Sequence, residues 1–135
     1  MSIHPLVESF YFRIWNSGDE HLEGLLTDDF SFRGSLGNEL RGHSAFVEYV
    51  RSVRRSLSNY RCEIVTCVTE LPRAFARMRF SGVHVAPFRG FAPTGRYVEW
   101  EGAALFTFRG DAISDVWVLG DLVGLDELLR RSRSV

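Results

Sequence analysis

Two side chains stand where they could move a proton. Asp121 follows the apolar run Val116-Trp117-Val118-Leu119-Gly120 and precedes Leu122-Val123-Gly124-Leu125. A carboxylate ending such a strand is expected to be partly desolvated, which raises its pKa toward the range useful for proton transfer. The same position suits the N-cap of a closing helix, because an aspartate oxygen accepts from the first free backbone N–H groups. Both readings stay open. His84 shares an alternating segment with Met78 and Phe80, just before Pro87. It reads as a hydrogen-bonded core residue or as a group that orients a substrate.

The remaining candidates are weaker, and their absences are informative. His4 precedes a helix, His21 lies in a polar stretch and His43 adjoins a capping serine, Ser44. No H-x-H, H-E-x-x-H or C-x-x-C pattern occurs, so no dedicated metal site is expected. Without a G-x-S-x-G elbow or a G-x-G-x-x-G fingerprint, hydrolase and dinucleotide chemistry have no support. All 16 basic residues are arginine, so the lysine amine needed for a Schiff base, for pyridoxal phosphate or for a Walker-A loop is missing. Arg109-Gly110-Asp111 is the one Arg-x-Asp triplet and falls in a hairpin turn, which removes an epoxide-hydrolase reading. The expected protein uses no cofactor.

Net charge is −1, so no overall field draws the chain to nucleic acid or anionic lipid. The clusters Arg51-Arg54-Arg55 and Arg130-Arg131-Arg133 read as solvated helix faces. Cys62 and Cys67 fall in one strand at odd spacing, which points them to opposite faces of a sheet and forbids a mutual disulfide. No apolar run is long enough to span a bilayer, and the first residues lack a signal-peptide layout. The cytoplasm is the expected compartment.

The elements that would position these groups follow from periodicity. Val7, Phe10, Tyr11, Ile14 and Trp15 recur at helical spacing. Asp19 would cap a short second helix carrying Leu22, Leu25 and Leu26, and Phe30 to Arg33 reads as a short strand. Phe46, Val47, Val50, Val53 and Leu57 mark a further helix. From Tyr60 the period drops to two, giving strands over 60–70, 73–85, 96–109 and 112–120, with tight links at Leu71-Pro72 and Gly110-Asp111. A closing helix runs from Leu122 to Arg131. The chain thus reads as a single domain, 1–135, of the α+β class, with helices packed over a curved, mostly antiparallel sheet. Ala74, Ala76, Met78, Phe80, Gly82 and His84 share one face, as do Val98, Trp100, Gly102, Ala104, Phe106 and Phe108. Aromatic residues beside such small ones describe an apolar pocket. Tyr11, Trp15, Phe46, Trp100 and Trp117 are its expected lining, while Tyr97, Glu99, Glu101 and Leu105 face outward.

Three stretches are also familiar in combination: Phe12-Arg13-Ile14-Trp15-Asn16-Ser17-Gly18-Asp19; Gly90-Phe91-Ala92-Pro93-Thr94-Gly95-Arg96; and Asp115-Val116-Trp117 followed by Asp121-Leu122-Val123-Gly124-Leu125. The sequence resembles the SnoaL-like polyketide cyclase branch of the NTF2-like superfamily, which carries a G-x-x-P-T-G-[RK] loop and an E/D-x-W-x-x-x-D-x-x-G-L closing segment. The resemblance implies a cone-shaped α+β barrel, a homodimer, and cofactor-free acid/base chemistry such as an aldol cyclisation. It places the family's acid/base aspartate on Asp121 and a pocket histidine on His84. A second pocket histidine falls on Ala104, which would deprive an enolate oxygen of a donor.

Two expectations of function follow. One is cofactor-free cyclisation, isomerisation or dehydration of a small carbonyl or polyketide-like compound, with Asp121 taking the proton and His84 steadying the oxyanion. The other is a non-catalytic module that binds a small apolar molecule in the same pocket.

Overall fold

The computed structural model describes residues 2–133. Helix α1 (Pro5–Ser9) starts with proline at a position whose N–H would have no helical acceptor, and His4 Nδ1 accepts from the Leu6 N–H at 3.1 Å. It runs on as a π-helical segment, Phe10–Asn16. The wider turn sends Phe10, Tyr11, Ile14 and Trp15 inward together, all buried. Arg54 closes this segment by donating from Nη1 to the carbonyls of Trp15 and Asn16, which a helix C-terminus leaves without partners. The basic cluster Arg51-Arg54-Arg55 is therefore only partly a solvated face. Arg51 pairs with Glu20, but Arg54 is a structural clamp. Arg130 and Arg131 are exposed, and the side chain of Arg133 lies outside the described residues.

Residues 19–25 form no helix. Asp19 Oδ1 accepts from the His21 N–H, and Leu25 and Leu26 both donate to the Leu22 carbonyl, which makes a compact turn. Leu22, Leu25 and Leu26 are nevertheless buried. Three apolar residues at i, i+3 and i+4 bury equally well under one turn, so burial pattern alone does not demand a helix here.

The strands are β1 (Leu26–Arg33), β2 (Glu39–Arg41), β3 (Leu57–Glu70), β4 (Arg73–His84), β5 (Tyr97–Arg109) and β6 (Ala112–Gly120); α2 (His43–Ser56) and α3 (Leu122–Arg133) complete the fold. They make one open sheet in the order β2-β1-β6-β5-β4-β3, antiparallel except where β1 runs parallel to β6. Asn16 covers part of the β3 edge, donating from Nδ2 to the Cys62 carbonyl and accepting the Cys62 N–H at 2.7 Å. No helix among the described residues is long and apolar enough to cross a membrane.

Register decides the faces. Ala76, Met78 and Phe80 stand opposite Ala104, Gly102 and Trp100, so the expected inward set on β4 and β5 is correct. Paired residues share a face. Because Ala104 pairs with Val118 and Leu105 with Trp117, Val116 and Val118 point inward while Trp117 and Leu119 point out. Trp117 is 44% exposed with the Arg33 guanidinium over its ring, so it does not line an interior pocket. Both parities of β6 are apolar, which hides the choice from a periodicity reading.

The cysteines also depart from expectation. Both are buried, because a bulge between Ile64 and Thr66 inserts one residue and restores the inward phase. Neither is in a disulfide. They stand opposite Phe80 and Ala76, four positions apart on β4, too far for an S–S bond.

Candidate functional site

A cavity lies between the concave sheet face and the helices. Its floor comes from β4, β5 and β6 through Phe80, Trp100 and Val118. The π-helical segment supplies Phe10, Tyr11 and Trp15, and β3 adds Tyr60. Phe32 and the turn residues Ser35 and Leu36 meet Tyr49 and Val53 of α2 across the top. Among these, only Ser35, Leu36 and Tyr49 are more than slightly exposed, so the mouth lies between the β1–β2 turn and α2. The interior is narrow, about 20 Å³, room for about one water molecule. Counting the mouth, about 370 Å³ is free of atoms.

The small residues of β4 and β5 do not supply that space. A Cβ on Gly82 would stand 2.8 Å from Leu57 Cβ, and one on Gly102 would stand 2.5 Å from Phe80 Cε2. Neighbouring side chains already occupy the room these glycines leave.

No lining side chain carries a charge at neutral pH. Burial pushes the phenols of Tyr11 and Tyr60 well above the ordinary tyrosine value, with further upward effects on both from Cys62 and on Tyr11 from Cys67. Tyr49 is pushed up to about 12, again by burial. All three stay protonated donors. The Cys62 thiol is likewise raised by burial to about 12, which keeps it out of nucleophilic chemistry. Tyr11 Oη and Trp100 Nε1 are buried with no hydrogen-bond partner in the protein.

Of the residues expected to line the cavity, Tyr11, Trp15 and Trp100 do so. Phe46 does not. It is fully buried one layer back, between Phe30, Phe32, Phe10 and Trp15. Tyr60, Tyr49, Ser35 and Leu36 were missed. Tyr60 has the parity of Cys62 and Tyr49 lies three residues from Phe46, so both carried a usable signal; the two turn residues carried none.

Asp121 is exposed and is not part of the cavity wall. Its N–H donates to the Glu101 carbonyl, and its Oδ1 accepts from the Gly124 N–H at 2.9 Å, which caps α3. The capping geometry is the one realised, and the expected dry site beside an imidazole is not. Glu101 pairs with Arg79, five residues before His84 on β4, a separation of roughly 16 Å along the strand. His84 is fully buried at the β4 end, its Nδ1 3.2 Å from Thr94 Oγ1 and its ring beside Phe88. Nε2 has no partner of good geometry. Burial pushes the ring below the ordinary histidine value, opposed in part by the backbone of Ala86 and Phe91.

That shift has a stability consequence. The folded ring resists protonation where an unfolded histidine, with a pKa of about 6.5, accepts a proton. The unfolded state therefore binds more protons below that pH, and the contribution is complete above about 6.5 and lost as pH falls. Urea midpoints should decline from pH 7.5 to 5.5, and less steeply in His84→Gln. Parallel curves for the two proteins would show that His84 contributes nothing to this dependence.

Solved structures of the same fold are numerous. TsrD from Streptomyces laurentii is 26% identical, with 92% of this chain covering 91% of that one at a TM-score of 0.80. A proposed polyketide cyclase from Acidithiobacillus ferrooxidans is 20% identical over 98% and 99% of the two chains, TM-score 0.84. IdmH, a proposed polyketide cyclase from Streptomyces antibioticus, is 21% identical over 93% and 96%, TM-score 0.79. No protein of curated function matches in sequence. The profile described as SnoaL-like polyketide cyclase matches residues 6–127, nearly the whole chain, and the protein belongs to that family.

Proposed function

We propose that the protein binds a small, mostly apolar carbonyl compound in the aromatic cavity between the sheet and the helices. The observation that carries this reading is the cavity itself: an uncharged interior walled by Tyr11, Trp15, Tyr60 and Trp100, with a mouth at Ser35, Leu36 and Tyr49. Aromatic walls with a few polar atoms are the ordinary make-up of a small-molecule site. The resting interior holds about one water, so entry of a ring-sized ligand requires the Gly34–Asn38 turn and Tyr49 to part. A thermal-shift screen of small carbonyl and polyketide-like compounds tests the reading. A ligand at a hundredfold its Kd stabilises by about 2.7 kcal/mol, a rise of several degrees in Tm. A library without any such shift would overturn it.

A second reading is cofactor-free acid/base catalysis on the same compound, favoured by membership of a cyclase family and by the family-matched position of Asp121. In the resting fold Asp121 is a helix cap, so this chemistry needs α3 or the bound ligand to bring the carboxylate to the cavity. Asp121→Asn separates the two. Asparagine caps as well as aspartate, so stability should hold, whereas loss of a general base lowers turnover about 10²–10⁴-fold. Unchanged turnover removes Asp121 from the mechanism.

The protein is also proposed to be a homodimer joined through the outer sheet face. Val68, Phe75, Leu105, Trp117 and Leu119 are exposed there, an apolar surface that favours burial against a partner. Sedimentation at micromolar concentration should give a species twice the mass of the chain. A monomer alone would count against this assembly.

A further inference from the structure

Trp100 and Tyr11 pose a specific question of polar satisfaction. Their polar atoms are among three buried side-chain nitrogens and oxygens of the described residues that lack a partner, and both residues line the cavity. Trp100 is 4% exposed and Tyr11 2%. The indole nitrogen lies on the cavity's Ser35 side: a Cβ built on Gly120 would come within 3.4 Å of Nε1 and 2.9 Å of Ser35 Cβ. Leaving such a buried group unpaired is costly, more so than replacing it with an apolar side chain.

An indole N–H donates and never accepts. The Tyr11 hydroxyl can do either, but burial holds its proton in place. Whatever meets these atoms must therefore offer lone pairs. It must also be uncharged, since the wall contains no cation to offset an anion and no carboxylate to offset a cation, and an unpaired ion loses several kcal/mol of solvation on entry.

We propose that Trp100 and Tyr11 determine the specificity of this cavity, selecting a neutral ligand that presents acceptor oxygens, such as a ketone or an ester carbonyl, and rejecting carboxylates. The proposal rests on the cavity being a ligand site.

The test uses three probes titrated by ligand-observed NMR: cyclohexanone, methylenecyclohexane, which keeps the shape and lacks the oxygen, and cyclohexanecarboxylate. Trp100→Phe and Tyr11→Phe should each weaken cyclohexanone about three- to tenfold, the worth of one net hydrogen bond, and leave methylenecyclohexane unchanged or slightly tighter. The carboxylate at pH 7 should bind at least tenfold more weakly than cyclohexanone. Neither variant should lose a hydrogen bond on folding, so the near-isosteric Tyr11→Phe should keep the parent's urea midpoint or raise it. Equal effects on ketone and alkene, or none on either, would overturn the specificity assignment while leaving the cavity a binding site. Absence of binding by any probe to the parent would overturn both.

Discussion

Phe46→Ala is expected to lower stability by about 3–5 kcal/mol, the usual cost of deleting a fully buried phenylalanine ring. Phe46 is 0% exposed. Its ring centroid lies 4.8 Å from Phe32, 5.1 Å from Phe30, 5.7 Å from Phe10 and 5.9 Å from Trp15. These rings come from α2, β1 and the π-helical segment, so one side chain joins three elements. Edge-on and stacked aromatic pairs each contribute about 0.5–1.5 kcal/mol beyond area burial, and alanine loses all of them. Domains of this kind have only about 5–15 kcal/mol in total, so Tm should fall by roughly 10–20 °C. Phe46→Leu, which keeps most of the volume, should cost about 1.5 kcal/mol or less. A Phe46→Ala loss below about 1 kcal/mol in urea unfolding would mean that the cluster is not packed as described. The void would also adjoin Trp15 and Phe32, which wall the cavity, so this variant should admit larger apolar probes.

The second large effect is expected at Gly102. A methyl group there would sit 2.5 Å from Phe80 Cε2 and 2.7 Å from the Leu119 carbonyl oxygen. The first neighbour is a ring held 5.3 Å from Trp100; the second is backbone in β6, paired to β5 on both sides of this point. Neither can retreat without disturbing the cavity floor, and Gly102→Ala should cost about 3 kcal/mol, at the upper end of overpacking effects. Gly110 supplies the control. It has φ 62° in the β5–β6 turn with open space around it, so Gly110→Ala pays only for the left-handed backbone, about 1–2 kcal/mol. A larger loss at Gly110 than at Gly102 would contradict the packing. Shrinking the ring in a Gly102→Ala, Phe80→Leu double variant should recover part of the loss but not all, because the Leu119 contact remains.

The four long strands, the inward faces of β4 and β5, the helix carrying Phe46 and the closing helix were all legible from alternation and helical spacing. Apart from β6, each of these segments has one face more apolar than the other, so a local pattern carries global information. The misreadings share a cause. On β6 both faces are apolar, and only pairing with β5 shows that Val118 turns in and Trp117 out. In β3 a single inserted residue resets the parity between the two cysteines, and bulges leave no mark in an alternating sequence. Leu22, Leu25 and Leu26 fit a helix or one tight turn equally well.

The candidate site divides along the same line. By itself the sequence determined that the protein has a half-polar, half-apolar sheet, no lysine chemistry, an aromatic interior containing Tyr11, Trp15 and Trp100, and a likeness to the SnoaL-like cyclases that runs nearly end to end. Those properties reside in residue types and short-range spacing. Only the tertiary structure decided that Asp121 caps a helix in solvent, that Phe46 stands behind the cavity wall, and that the room beside Gly82 and Gly102 is already filled. Where a carboxylate ends up relative to a void depends on strand register and on which distant side chain claims the space, and neither quantity is encoded in any contiguous stretch of the chain.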